Sequence, residues 1–192
     1  MLPIMLDVKT LNLALIVGAG DEGQAVRRLA MLDAAGATSV QVYAQDADEA
    51  LVREAGARLI NHIPPPKDFA KELADTHIVY IADMAEAEAA PLVAVAKKAK
   101  ALVNLEDNKP YCDFHVPAMV RRGDLLLTIS TNGKSPALAR RIKSDLGAHY
   151  PEAWAERLNT LATSRTKWRE AGASLSELST RTNNLIDEKG WL

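Results

Sequence analysis

Residues 11–36 read LNLALIVGAGDEGQAVRRLAMLDAAG. The apolar run at 11–17 has the length and composition of a buried strand, and it ends in a turn that contains three glycines. A helical pattern follows over 24–35, and Gly36 is typical of the position directly after a helix. The stretch therefore predicts a strand, a glycine turn and a helix in succession.

Strands and helices alternate through the rest of the first half of the chain. Further helices are predicted at 46–55 and 86–100, and further strands at 39–44, 58–63, 78–82 and 101–105. Consecutive parallel strands need crossover connections, and helices supply them. We therefore predict an α/β fold with a Rossmann-like parallel sheet.

The second half of the chain has a different pattern. A strand is predicted at 125–130, and a helix begins at Ser135-Pro136, where a serine cap precedes a proline. Beyond residue 151 only helices are predicted, at 152–162, 166–171 and 175–189, the last opened by the capping box Ser174-x-x-Glu177. We predict three parts: a Rossmann domain at 1–112, a central segment at 113–148 and a small all-helical C-terminal domain at 149–192.

The composition excludes several classes of protein. Hydrophobic side chains make up 48% of the 192 residues and charged side chains 25%, with a net charge of -2. The longest apolar run, 13–17, is far shorter than the roughly 20 residues of a spanning helix, and the basic start of a secretory signal is missing. We therefore expect a soluble, cytoplasmic protein with no membrane partner. The aromatic content of 5% and the weak negative charge argue against a nucleic-acid partner.

A glycine motif, Gly18-x-Gly20-x-x-Gly23, follows the first predicted strand and opens the first predicted helix. In this position backbone amides and a helix N-terminus can meet a pyrophosphate, so the motif predicts a dinucleotide site. Asp46, just past the second strand, is the candidate acid for the ribose, and it would serve equally well as a helix N-cap. Because no basic pair follows to hold a 2′-phosphate, NAD is favoured over NADP.

Asp107 is the candidate general base. It follows the strand at 101–105, and ligands of open α/β sheets bind at the carboxyl ends of the strands. The alternative is a loop acid that caps a turn together with Asn108. Its neighbour Glu106 is interpreted as solvated or structural.

The segment from Arg121 to Lys143 is locally basic, with one acid, Asp124, against Arg121, Arg122, Lys134, Arg140, Arg141 and Lys143. Together with the turn at 131–135 before a helix, this excess suggests an anion site for a polyanionic substrate. The alternative is a solvated basic face of a helix.

Histidine and cysteine give no sign of a metal site. The four histidines show no ligand spacing, so no resident metal is predicted. Cys112 is the single cysteine, which excludes an intrachain disulfide, and it is interpreted as an inert thiol. The three tryptophans of the C-terminal third are interpreted as core or interface anchors.

Several ordered blocks between Leu2 and Leu146 resemble a known family. The family is that of precorrin-2 dehydrogenases and sirohydrochlorin ferrochelatases, found alone or as the front part of siroheme synthase. The blocks are Leu2-Pro3-Ile4, Val17-Gly18-Ala19-Gly20, Val103-Asn104-Leu105-Glu106-Asp107, Phe114-His115-Val116-Pro117-Ala118 and, most specific, ISTNGKSPALA at 129–139.

The resemblance implies a homodimer in which each chain has an NAD-binding Rossmann domain, a central segment for dimerisation and tetrapyrrole binding, and a helical C-terminal domain. In this family NAD oxidises precorrin-2 to sirohydrochlorin, and some members then insert ferrous iron as a substrate. An aspartate matching Asp107 removes the proton. The residue matching Thr131 lies in the tetrapyrrole-binding segment.

The resemblance and the motifs together give the expected site residues. The substrate residues are expected to be Ser130, Thr131, Asn132, Gly133, Lys134 and Ser135. The cofactor residues are expected to be Gly18, Gly20, Asp21, Glu22, Gly23, Gln45, Asp46, Ala82, Asp83 and Asn104.

The chain departs from the family pattern chiefly at two places, with milder changes at Asn108-Lys109-Pro110 and Asn132, and its last 40 or so residues match only in being helical. The usual arginine-lysine pair after the glycine turn corresponds to Arg27-Arg28 only with an insertion of about two residues. The segment after the fourth strand, usually Ala-Thr-Asp-Asp, reads Asp83-Met84-Ala85-Glu86, which brings an acid near the expected nicotinamide ribose. Two alternatives stay open: an NAD-binding sensor or regulatory module without tetrapyrrole turnover, and a dehydrogenase for another polyanionic substrate.

Overall fold

The computed structural model describes residues 2–20 and 23–192, and these divide into two units, 2–115 and 116–192. The three-part division at 112 and 148 stays a prediction. Among the helices that the structure describes, none is both long enough and apolar enough to cross a membrane.

A five-stranded parallel sheet organises the unit 2–115. Its strands run in the order β3-β2-β1-β4-β5, so the chain crosses to the other side of β1 when it reaches β4. The strands are β1 (Asn12–Val17), β2 (Ser39–Ala44), β3 (Leu59–Ile60), β4 (Ile78–Ala82) and β5 (Leu102–Leu105). The helices are α1 (Gly23–Ala34), α2 (Glu49–Ala55), α3 (Pro66–Glu72) and α4 (Glu86–Lys98). The predicted Rossmann-like fold class is confirmed.

The two central strands form the core of this unit. Residues 13–17 of β1 and 78–82 of β4 are all buried, as expected for parallel strands whose two faces are both covered by helices. Helix α1 adds Leu29 and Leu32, which are 0% and 1% exposed. A fully buried leucine stabilises the fold by about 1.5–3 kcal/mol, so both leucines help to hold α1 in the core of this unit.

The sheet edge at β3 differs from the sequence prediction. Only Leu59 and Ile60 pair with β2, whereas the sequence predicts a strand over 58–63. The prolines at 64–66 do not simply end the strand, because Pro66 occupies the first turn of the unpredicted helix α3. Proline is tolerated at that position because its missing N–H would have no partner inside the helix.

The unit 116–192 contains a β-hairpin and three helices. The strands β6 (Ala118–Arg122) and β7 (Leu125–Ile129) pair antiparallel, and β6 was not predicted. Helix α5 (Pro136–His149) starts at the predicted cap Ser135, whose hydroxyl accepts a hydrogen bond from the amide of Leu138. Helix α6 (Trp154–Glu170) is continuous where two pieces were predicted, and α7 (Leu175–Glu188) has the predicted capping box.

Aromatic residues lie at the centre of the helical part of this unit. Trp154 is 5% exposed, and its ring lies 5.6 Å from that of Tyr150 and 6.4 Å from that of Trp191. The guanidinium of Arg157 lies over both tryptophan rings, at 5.3 and 5.6 Å. The interpretation of Trp154 as a core anchor is therefore correct.

Candidate cofactor site and active site

The predicted residues of the unit 2–115 meet at the carboxyl edge of the sheet. Gly18 and Gly20 follow β1, Asp46 follows β2, Asp83 follows β4, and Asp107 follows β5. The carboxyl ends of parallel strands lie on one edge, and β1 and β4 flank the point where strand order reverses, which is where ligands of open α/β sheets bind.

Three aspartates on this edge share an uncommon backbone conformation. Asp46, Asp83 and Asp107 have φ angles of 54°, 53° and 53°, in the left-handed region. Each lies within two residues of the end of its strand. Aspartate and asparagine tolerate this conformation better than other non-glycine residues, so asparagine is the substitution that disturbs these turns least.

The glycine turn packs directly against the segment that follows β4. The amide of Gly18 donates to the carbonyl of Ala82 at 3.0 Å, and the amide of Gly20 donates to the carbonyl of Asp83 at 3.1 Å. A Cβ atom on Gly18 would lie 2.3 Å from the Asp83 carbonyl oxygen, and one on Gly20 would lie 2.9 Å from it. The close contact with the segment after β4 therefore requires glycine at both positions, whether or not a ligand is bound.

The start of α1 also contacts Asp83. Gly23 is the first residue of the helix, and the Oδ2 atom of Asp83 accepts a hydrogen bond from the amide of Ala25 at 2.9 Å. Asp21 and Glu22, two of the expected cofactor residues, lie outside the described residues.

A cavity of about 720 Å³ opens beside the glycine turn and between the ends of β1, β2 and β4. Its volume lies within the range of about 300–1,000 Å³ that is usual for small-molecule pockets. Its apolar lining residues are Ile63, Met84, Leu92 and the prolines at 64–66, and its lining also includes the glycine turn, Gln45 and Asp46. Apolar residues for a base and polar groups for a sugar and phosphates fit a dinucleotide.

Acidic residues line this cavity. Asp46, Asp48 and Glu88 are among its lining residues, and among the described lining residues there is no lysine or arginine. Asp48, and not Asp46, caps α2 by accepting a hydrogen bond from the amide of Leu51 at 2.7 Å. The interpretation of Asp46 as the helix cap is therefore wrong, and its place in the cavity wall agrees with the ribose interpretation.

The turn that carries Asp107 is held by Cys112. The single S–H of the thiol is shared between the carbonyl oxygens of Leu105, at 3.0 Å from the sulfur, and Asn108, at 3.3 Å, on either side of the exposed Asp107. The buried side chain of Asn104 donates to the carbonyl of Phe114 at 2.9 Å and contacts the Cys112 sulfur at 3.6 Å. Asn104, an expected cofactor residue, thus has its amide nitrogen bonded to the segment that follows this turn. Sequence reasoning missed the role of Cys112.

Glu106 is a second carboxyl group on this edge. Burial raises its pKa, the guanidinium of Arg28 opposes the shift, and the charges of Asp83 and Asp107 add to it. Arg28 lies over the ring of Tyr80 at 5.1 Å, and Tyr80 packs edge-on against Phe114 at 5.5 Å. Glu106 is therefore half-buried in a charged cluster, which the sequence did not indicate.

The expected substrate residues form one turn between β7 and α5, in the unit 116–192. Thr131 Oγ1 donates to the carbonyl of Ser135 at 3.1 Å and accepts from the Ser135 amide at 3.2 Å. The amide of Asn132 donates to the Ser130 hydroxyl at 3.2 Å, and Gly133 has a φ of 69°. The side chain of Lys134 is exposed, so the turn presents a cation and a helix N-terminus together.

One basic residue of this segment has a structural role. Arg122 donates from Nε to the carbonyl of Tyr150 at 2.7 Å and from a terminal nitrogen to the carbonyl of Gly147 at 3.3 Å. It also forms an ion pair with Glu152 at 2.9 Å. Its guanidinium therefore joins the hairpin to the connection between α5 and α6, and the predicted anion site has to rely on the other basic residues.

Two family models match the chain in succession. Residues 4–118, more than half of the chain, match the model described as "Putative NAD(P)-binding", and residues 122–149 match the model described as "Sirohaem biosynthesis protein central". This chain belongs to the family described as "Putative NAD(P)-binding".

Curated relatives and a solved structure agree with the family. A siroheme synthase of Pectobacterium atrosepticum is 31% identical over 170 residues, which is 88% of this chain and 33% of that protein. A siroheme synthase of Methylococcus capsulatus is 32% identical over 170 residues, 88% of this chain and 35% of that protein. The chain thus spans about a third of the length of these relatives.

The solved structure of "SirC, precorrin-2 dehydrogenase" superposes with a TM-score of 0.75 at 27% sequence identity. The match covers 100% of this chain and 92% of that protein. This chain therefore shares that fold over its whole length. Its residues 4–118, which match the NAD(P)-binding model, include the cavity and Asp107.

Proposed function

We propose that this chain is an NAD-dependent dehydrogenase that oxidises precorrin-2 to sirohydrochlorin. One observation carries the proposal: the glycine turn, the cavity and Asp107 share the carboxyl edge of one parallel sheet. The superposition with a precorrin-2 dehydrogenase over the whole chain supports the choice of substrate.

In this proposal NAD lies along the sheet edge, with its pyrophosphate at the glycine turn and its adenosine half in the cavity. Asp46 accepts hydrogen bonds from the ribose hydroxyls. NAD is preferred over NADP because Asp46, Asp48 and Glu88 would repel a 2′-phosphate, and the described residues that line the cavity include no base to hold it. When bound, the nicotinamide supplies the hydride acceptor.

Asp107 supplies the proton acceptor. The oxidation breaks one C–H bond of precorrin-2 as a hydride and releases a second hydrogen as a proton, which the Asp107 carboxylate takes. Its side chain is exposed at the sheet edge, and Cys112 holds the turn that carries it. The exposure supports the role because a large substrate can reach the carboxylate.

The turn at 130–135 binds carboxylates of the substrate. The exposed ammonium of Lys134 is a group that binds carboxylates, and the positive end of the α5 dipole lies beside it. Precorrin-2 carries many carboxylates, which agrees with the basic character of this segment.

The active form is a homodimer built on the unit 116–192. This unit buries four apolar side chains, those of Val120, Ile129, Trp154 and Leu178. A two-stranded ribbon with so small a core is marginal by itself, and Leu138 on α5 is 49% exposed. A second copy that covers the ribbon and α5 would complete the core.

Insertion of ferrous iron into sirohydrochlorin is the activity to test next. The name of the curated relatives, siroheme synthase, supports testing it, and iron would be a substrate of that step. Purified chain incubated anaerobically with sirohydrochlorin and ferrous iron, without another enzyme, decides it by the absorbance of the product.

The dehydrogenase is tested with anaerobic full-length chain and freshly made precorrin-2, with and without NAD. Sirohydrochlorin absorbance and NADH formation should rise together, in equal amounts, and in the presence of NAD only. Asp107→Asn keeps the left-handed turn and removes the base, so kcat should fall by about 10²–10⁴-fold. Asp75→Asn, an exposed acid just before β4 at the opposite edge of the sheet, is the matched control and should keep wild-type turnover.

Two results contradict parts of the proposal. Full turnover by a folded Asp107→Asn variant removes Asp107 as the base. If a folded, NAD-binding dimer does not convert precorrin-2, the proposed precorrin-2 dehydrogenase activity is ruled out. A sensor or a dehydrogenase for another substrate then remains.

A further inference from the structure

Asp83 places a carboxylate of the chain at the N-terminus of α1. It is the first residue after β4, and its Oδ2 accepts a hydrogen bond from the amide of Ala25, in the first turn of α1, at 2.9 Å. The first-turn amides of a helix are the donors that bind anions, and the pyrophosphate of a dinucleotide uses this end of the helix in Rossmann folds. In the free protein one of these donors, the Ala25 amide, is therefore already hydrogen-bonded to a carboxylate of the chain itself.

The glycine turn fixes Asp83 in this position. Its backbone carbonyl accepts from the amide of Gly20 at 3.1 Å, and the preceding carbonyl, of Ala82, accepts from Gly18 at 3.0 Å. The absence of Cβ atoms on both glycines lets the two segments touch. These bonds hold the backbone of Asp83 beside α1, so its carboxylate can leave the Ala25 amide only by rotation about the Cα–Cβ bond, with loss of that hydrogen bond.

The two arginines of α1 have other partners than this carboxylate. The Nε atom of Arg27 donates to the side chain of Gln24 at 3.1 Å. The guanidinium of Arg28 lies over the ring of Tyr80 at 5.1 Å. Neither forms an ion pair with Asp83 among the described residues, so a bound pyrophosphate would meet an anion at close range.

We propose that Asp83 competes with the NAD pyrophosphate for the N-terminus of α1 and so lowers the affinity of the chain for NAD. The inference rests on the proposed NAD site, and it assigns Asp83 a role opposite to that of a cofactor ligand. Asp83 would then help to set the affinity for NAD. The hydrogen bond between its carboxylate and the Ala25 amide stabilises the free protein and weakens the complex with NAD.

The test is a calorimetric titration of full-length chain with NAD, without tetrapyrrole. Asp83→Asn keeps an acceptor for the Ala25 amide and tolerates the left-handed backbone, so the fold is retained and the charge alone is lost. NAD should bind about tenfold more tightly, equivalent to about 1.4 kcal/mol. Asp75→Asn makes the same charge change at the far edge of the sheet and should leave the affinity within about twofold of wild type.

A second variant separates competition from a purely structural role. Asp83→Ala removes both the charge and the acceptor, so the midpoint of thermal unfolding of the free protein should fall while the affinity for NAD still rises. If Asp83 only stabilises the fold, Asp83→Ala should lower both the midpoint of thermal unfolding and the affinity for NAD. Unchanged or weaker NAD binding by a folded Asp83→Asn variant overturns the inference.

This result is distinguishable from failure of the dehydrogenase. Binding is read without substrate, so a chain that gains NAD affinity on Asp83→Asn and yet converts no precorrin-2 supports the competition and contradicts the proposed activity. Absence of NAD binding in both wild type and Asp83→Asn overturns the inference together with the NAD site.

Discussion

The Sγ atom of Cys112 lies 3.0 Å from the carbonyl oxygen of Leu105 and donates a hydrogen bond to it. A second carbonyl, that of Asn108, lies 3.3 Å from the same sulfur. The two carbonyls flank Glu106 and Asp107, so the thiol reinforces a turn that the backbone bond from the Asn108 amide to the Leu105 carbonyl also closes, at 3.3 Å. Burial raises the pKa of this thiol, which keeps it protonated and able to donate.

Replacing Cys112 by alanine should destabilise the turn. The alanine variant lacks the thiol that donates to the Leu105 and Asn108 carbonyls. One such hydrogen bond contributes about 0.5–1.5 kcal/mol to the free energy of unfolding. Cys112→Ser should recover most of the loss because the hydroxyl donates to the same carbonyls. Urea unfolding followed by circular dichroism measures both variants, and equal stability of the alanine and serine variants would show that the thiol acts through packing alone.

The regular elements of the sheet could be predicted from the sequence because they depend on local pattern. The strands at 39–44 and 78–82 have the predicted bounds, since each is an apolar run between turns. β3 is shorter than predicted because the chain turns after Ile60, where the amide of His62 donates to the Ile60 carbonyl at 2.8 Å. Helix α3 was missed because prolines were interpreted as a break, although Pro66 is compatible with a first helical turn.

The contacts that define the site could not be predicted in the same way. The Asp83 carboxylate meets the Ala25 amide across 58 positions of sequence, and Cys112 meets Leu105 across a turn that no local motif describes. The placement of Asp46, Asp83 and Asp107 at one edge of the sheet could be predicted, because each follows a strand and the carboxyl ends of parallel strands lie together. Whether one of these carboxylates binds a ligand, accepts a hydrogen bond from a helix or only occupies a turn depends on side-chain geometry, which the sequence pattern does not give.

Alanine substitutions at two glycines should change stability in opposite directions. At Gly18 the new Cβ would lie 2.3 Å from a backbone oxygen, so Gly18→Ala should cost about 1–3 kcal/mol or more. At Gly147, inside α5, the nearest atom would be a terminal nitrogen of Arg122 at 3.8 Å, so Gly147→Ala should stabilise its helix by about 0.5–1 kcal/mol. Differential scanning calorimetry compares the two, and a tolerated Gly18→Ala would contradict the tight contact with Asp83.

Glu106 should make the stability of the protein depend on pH. Its folded-state pKa is raised, chiefly by burial, above the ordinary value of 4.5, so the folded state binds the proton more tightly than the unfolded chain. Stability from this group is fully present below pH 4.5 and is lost as the pH rises through the folded-state pKa. Glu106→Gln should therefore unfold at a higher temperature than wild type at pH 7, and the difference should vanish toward pH 4.

Glu177 supplies a control of opposite sign. Hydrogen bonds from the backbone and side chain of Ser174 lower its pKa, so its contribution to stability is present above the ordinary value of 4.5 and lost as the pH falls. Glu177→Gln should be less stable than wild type at neutral pH and should approach it on acidification. If both variants shift in the same direction with pH, the assignment of the raised pKa to Glu106 is wrong.

Trp154 should tolerate phenylalanine better than its burial suggests. Its Nε1 is buried without a hydrogen-bond partner among the described residues, and an unmet buried donor costs about 1–3 kcal/mol. Trp154→Phe removes that donor and keeps an aromatic ring against Tyr150, so its free energy of unfolding should stay within about 1 kcal/mol of wild type, whereas Trp154→Ala should lose about 3–5 kcal/mol. Urea unfolding followed by circular dichroism measures both, because tryptophan fluorescence changes with the substitution itself. A loss by Trp154→Phe as large as that of alanine would mean that the indole N–H has a partner in solution, such as a bound water, and that the donor stabilises the fold.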